Sequence, residues 1–122
     1  MKKIIIYVLL IVLFISASSS QEKLDVLHFN YRWNESNNYD LRGIKNVKIQ
    51  YVWLEDQPQN IRQSIKSVPV IAILGKDGKV KMQFVADISF KIQATKEEVQ
   101  NSINRILLNS NTSASKRRAS TN

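Results

Sequence analysis

The chain has 122 residues, no cysteine, one histidine and a formal net charge of +8. Without cysteine, disulfides, thiol nucleophiles and cysteine-ligated metals are excluded, and one histidine among scattered acids makes no zinc cluster. Setting aside Lys2, Lys3, Lys116, Arg117 and Arg118 leaves 13 basic against 10 acidic residues. That is an ordinary solvated surface, and no nucleic-acid partner is expected of it.

Composition divides the chain in three. Residues 1–20 begin with Lys2 and Lys3, continue through an apolar run over 4–15, and end in small residues. This order describes a secretory signal peptide. The run is shorter than the roughly 20 residues that span a bilayer, so cleavage after Ser18 or Ser20 is expected. The protein would then be exported to a periplasmic, extracellular or secretory-pathway compartment. If retained, the segment becomes an anchor and the sole membrane contact. Residues 109–122, "NSNTSASKRRASTN", hold no apolar side chain larger than alanine and are expected to form a disordered basic tail. Residues 21–108 remain as one small domain.

In chain order, "LDVLHF" (24–29) and "VKIQYVW" (47–53) are strand-like, being rich in β-branched and aromatic residues. In the second, Val47, Ile49, Tyr51 and Trp53 share one face, expected to be its half-buried side. Between the two strands at most two helical turns fit, over 38–44. "EDQPQNIRQSIKS" predicts a short helix capped by Asp56, with Pro58 in its first turn and Ile61 and Ile65 on one stripe. "PVIAIL" (69–74) is a buried central strand. Asp77-Gly78 signals a hairpin into "VKMQFVA", where Val80, Met82 and Phe84 alternate with Lys81, Gln83 and Val85. Thr95 and Glu98 are spaced as a capping box, opening a helix over 95–108 whose apolar face is Val99, Ile103, Ile106 and Leu107. The order predicts an α/β domain with a mixed four-stranded sheet and short flanking helices.

Three stretches resemble the thioredoxin-like superfamily. "SVPVIAILGKDGKV" (67–80) resembles the segment in which a cis-proline opens a buried strand leading into a hairpin. "VWLEDQPQNIRQSIKSVP" resembles the approach to it. "FNYRWNESNN" resembles the active loop, with Trp33 at the tryptophan that precedes Cys-x-x-Cys and with Asn34 and Asn37 at the two cysteine positions. The likeness covers 24–108 and implies a reduced, degenerate thioredoxin-like fold. The first strand and helix of that fold are missing, and "DISFKIQA" (87–94) is longer than usual. Redox activity is not implied, because an amide is no nucleophile at neutral pH.

The resemblance further implies a cis bond at Val68-Pro69. It also implies a shallow groove in which Ser67, Val68 and Pro69, beside Tyr31 and Trp33, pair with an extended peptide. His28 is expected to be a satisfied core or edge residue and Glu35 a lone loop carboxylate. No catalytic residue, metal or cofactor is expected. Asn34-Glu35-Ser36 and Asn111-Thr112-Ser113 match the glycosylation sequon. The leading expectation is an exported, redox-inactive interaction module for a protein or extended peptide. The alternative is a structural component of a larger envelope, extracellular or viral assembly.

Overall fold

A computed structural model describes residues 23–120, with side chains through Asn111; the expected signal peptide at 1–20 lies outside the described residues. Strand β1 (Leu24–Asn30) pairs in parallel with β2 (Val47–Trp53), Leu24 opposite Val47 and Asn30 opposite Trp53. Its other edge pairs antiparallel with β3 (Val70–Leu74), and β3 pairs with β4 (Val80–Val85). The sheet order is β2-β1-β3-β4, the mixed four-stranded sheet expected from the chain.

Alternation along β1 builds two cores. Leu24 and Val26 join Leu41, Ile71, Ile73, Val99 and Ile103 on one face. Leu27 and Phe29 join Val52, Leu54, Ile61, Val68, Ala72 and Leu74 on the other. All of β3 is buried, as befits a strand covered on both faces. At the hairpin, Gly78 takes a left-handed φ of +78° and Gly75 N–H donates to Lys79 O at 2.8 Å.

The structure corrects several local expectations. In β2 the buried residue is Val52, 6% exposed, on the face opposite Ile49 and Tyr51, which are 37% and 48% exposed. The strand is an edge, and the closing helix seats Val99 and Ile103 against β1 and β3 instead. In β4, Met82 stands opposite Ile73 but Val80 stands opposite Leu74, with a bulge between. The extra residue flips the pattern, so Val80 joins the Leu27 face while Phe84 packs on the Leu24 face.

Helical turns in the first crossover fall at Arg32–Asn37 as a 3-10 segment, and no helix forms over 38–46. Gly43 at φ +87° and Asn46 at φ +66° are left-handed conformations that a right-handed helix cannot contain. Asp56 does not cap the next helix, α1 (Gln59–Ser64). Pro58 is its N-cap residue, and no side-chain cap bond is made there. Ile61 is buried, whereas Ile65 has already left the helix as its extended C-cap.

The last helix, α2, spans Lys96–Ser120. Thr95 Oγ1 accepts the Glu98 N–H at 3.1 Å, as the capping pattern predicts. Its backbone stays helical as far as Ser120, within the region expected to be a disordered tail. The packed turns around Val99 and Ile103 supply the costly nucleus, after which each residue adds one bond, and Ala, Lys and Arg propagate a helix well.

Candidate functional site

The loop leaving β1 is a net of asparagine amides. Asn30, 1% exposed at the strand end, donates through Nδ2 to Asn34 O at 3.0 Å and to Asn38 Oδ1 at 2.6 Å. Its Oδ1 accepts the Tyr31 N–H at 2.9 Å and Asn34 Nδ2 at 3.1 Å. Asn34 Oδ1 accepts Asn37 Nδ2 at 2.7 Å. The two positions that match the cysteines of Cys-x-x-Cys are thus joined by a hydrogen bond. Among the described residues, no buried side-chain polar atom lacks a partner. The net holds shape and offers no nucleophile.

A second clamp fixes the loop from the turn that follows β2. The Arg32 N–H donates to both Glu55 carboxylate oxygens, at 3.1 and 2.8 Å. The Arg32 guanidinium pairs with Asp56 at 2.8 Å and lies 5.4 Å from the Trp53 ring centre. That guanidinium holds the Asp56 carboxyl below its ordinary range. Glu55 and Asp56 therefore tether the loop, where Asp56 was expected to cap a helix.

Val68-Pro69 is cis, as the resemblance implies. Asn34 Nδ2 lies 3.4 Å from Val68 O, which brings the loop and the proline segment together. Val68 and Pro69 are buried and Ser67 is half-buried; the Val68 side chain belongs to the Leu27 core.

What faces solvent is aromatic. Trp33 is 64% exposed, stacked on Tyr31 at 6.1 Å and met edge-on by Phe90 at 5.3 Å. Phe90 adopts φ +62°, an unusual backbone for a bulky residue. Asp87 holds the loop there. Phe90 N–H donates to Asp87 O at 3.0 Å and Asp87 N–H to Lys91 O at 3.1 Å. The Asp87 carboxylate accepts Ser89 N–H and Gln93 Nε2, each at 2.9 Å, and the Ser89 hydroxyl. These bonds, those from Ser89 foremost, hold its carboxyl below the ordinary range. The same loop carries Ile88, 99% exposed. Sequence reasoning missed Ile88 and Phe90; the only available signal was the extra length of "DISFKIQA".

Two candidates remain, one in the core and one on the Trp33 segment itself. His28 is a core residue, 1% exposed, whose Nε2 accepts the Tyr39 N–H at 2.9 Å and whose ring lies 4.8 Å from Tyr51. Burial pushes its pKa down to about 4, opposed in part by a bond to its own backbone. Glu35 is an exposed carboxylate. No group of three or more metal-ligating side chains occurs among the described residues. At the first sequon the Asn34 amide is buried and bonded, so the folded loop has no room for a glycan there.

No family model matches this chain, and no curated protein does. Among solved structures it is similar to thioredoxin-2, described as a component of malaria parasite protein secretion machinery. Identity is 17%, the TM-score is 0.51, and the match covers 71% of this chain and 86% of that one. The likeness shows a thioredoxin-like fold, here in a chain whose sequence contains no cysteine for thiol–disulfide exchange.

Proposed function

We propose that this protein is an exported, non-enzymatic interaction module that binds a protein or an extended peptide at the aromatic surface around Trp33. The observation that carries the reading is an exposed indole on a loop held from both sides. Trp33 is 64% exposed between Tyr31 and Phe90, while the asparagine net and the Arg32 clamp fix the backbone on either side of it. A rigid aromatic anchor loses little entropy on binding, and such residues dominate contact energies. The proline segment adjoins this loop through the bond from Asn34 to Val68 O, and Ser67 is the most accessible residue among Ser67, Val68 and Pro69. Export rests on the signal-like composition of residues 1–20.

The test is a peptide-display selection on the full chain. Selected peptides should lose tenfold or more in affinity with Trp33→Ala, about 1.4 kcal/mol, and similarly with Ile88→Asp. A selection that enriches nothing, or peptides indifferent to both substitutions, would sink the reading.

A further inference from the structure

The Leu27 face of the sheet is incompletely covered beside β4. Phe29, Ile61, Ile65, Val70, Val80 and Val85 line a groove of about 240 Å³ there, between α1 and the outer strand. Val85 is 51% exposed, and among the described residues β4 pairs with β3 alone, at the edge of the sheet order. The bulge opposite Ile73 and Leu74 turns Val80 into this groove. Ser67 borders both this groove and the proline segment next to the Trp33 loop, but the aromatic contacts of Trp33 involve no residue of the groove.

Charge decides what fits. Lys66 is the one charged residue of the lining, and Lys79 and Lys81 are exposed at the start of β4. The acid beside them, Asp77, is already engaged by Lys81 Nζ and the Lys79 N–H, each at 3.0 Å. Exposed lysines on an edge strand are a usual device against self-pairing. An acidic strand meets the opposite condition, since complementary charge favours encounter and register. We propose that the β4 edge and its groove receive an extended acidic segment of a partner protein by strand addition. Alternate apolar side chains would enter between Val85 and Ile65, and the carboxylates flanking them would lie in the field of Lys66 at the groove mouth and Lys79 beside β4.

The probe is an eight-residue peptide of alternating valine and glutamate, titrated into the full 122-residue chain, with a valine–lysine peptide as its counterpart. The acidic peptide should bind at least tenfold more tightly and shift the backbone amide resonances of Val80–Val85. Val85→Glu should weaken it about tenfold and Lys66→Glu several-fold. Trp33→Ala should change nothing, which separates this site from the one proposed above. Both altered side chains reach solvent, and an unchanged far-UV spectrum verifies folding. Equal binding of the two peptides, indifference to both substitutions, or self-association through β4 would overturn the proposal.

Discussion

The amide of Asn34 has two hydrogens, and three oxygens stand within reach: Asn30 Oδ1, Val68 O and Phe90 O, at 3.1, 3.4 and 3.5 Å. All three come from different segments, so one side chain ties the β1 end, the proline segment and the Phe90 loop together. Asn34→Ala should cost roughly 1–3 kcal/mol by denaturant midpoint, because buried acceptors lose their donor. Asn34→Asp should cost more than Asn34→Ala, since it sets a carboxylate against those same oxygens. The reverse order would show that the net is not closed. His28 sets a pH window. The folded state keeps it neutral down to about pH 4, against an ordinary value of 6.5, so the unfolded chain binds more protons below 6.5. Stability should be level above that pH and fall by on the order of 2–3 kcal/mol as pH drops from 6.5 toward 4. Asp56 and Asp87, held below their usual range, act at lower pH. Asp25, raised by burial, acts in the opposite sense. His28→Leu should flatten the slope between pH 6.5 and 5 in chemical denaturation, at the expense of the Tyr39 bond.

At the scale of elements, the strongest local signals mark ends. Thr95 caps α2 through the Glu98 N–H, and Thr95→Ala should lower stability by about 1 kcal/mol. Asp77-Gly78 marks the hairpin because the turn needs a left-handed residue, and Gly78 supplies it. Which face a strand buries is less legible. The apolar set Val47, Ile49, Tyr51 and Trp53 looks like a core face, yet Val52 is the residue in the core. Partner helices, not the strand's own pattern, decide which side is covered. The β4 bulge is similarly silent in sequence, because a one-residue slip changes every facing side chain while leaving composition intact. Asp56 had two partners to choose between, the N–H groups of α1 and the Arg32 guanidinium, and only tertiary proximity selected the second.

For the molecule as a whole, the fold was largely readable, since the buried run at 70–74, the hairpin and the closing helix together admit few sheets. The site was half readable. Trp33 and Asn34 were marked by their likeness to a known loop, and Pro69 by its likeness to a known cis-proline segment. Phe90 and Ile88 were not, because their position depends on an irregular segment that folds back onto Asn34 from 56 residues further along. The two cores meet only across the sheet, and β1 feeds both, Leu24 and Val26 to one and Leu27 and Phe29 to the other. Neither core can therefore be lost without removing the strand that seats the other. Ile103→Ala, in the Leu24 core, should cost roughly 2–4 kcal/mol, a large share of what so small a domain commands. Tryptophan fluorescence reports on Trp33 and Trp53, beyond the end of that core and outside it, while far-UV circular dichroism follows the helices. Both should shift to the same lower midpoint in Ile103→Ala. Separated midpoints, with the tryptophan signal holding its wild-type value, would mean that the two faces unfold independently and that β1 does not couple them.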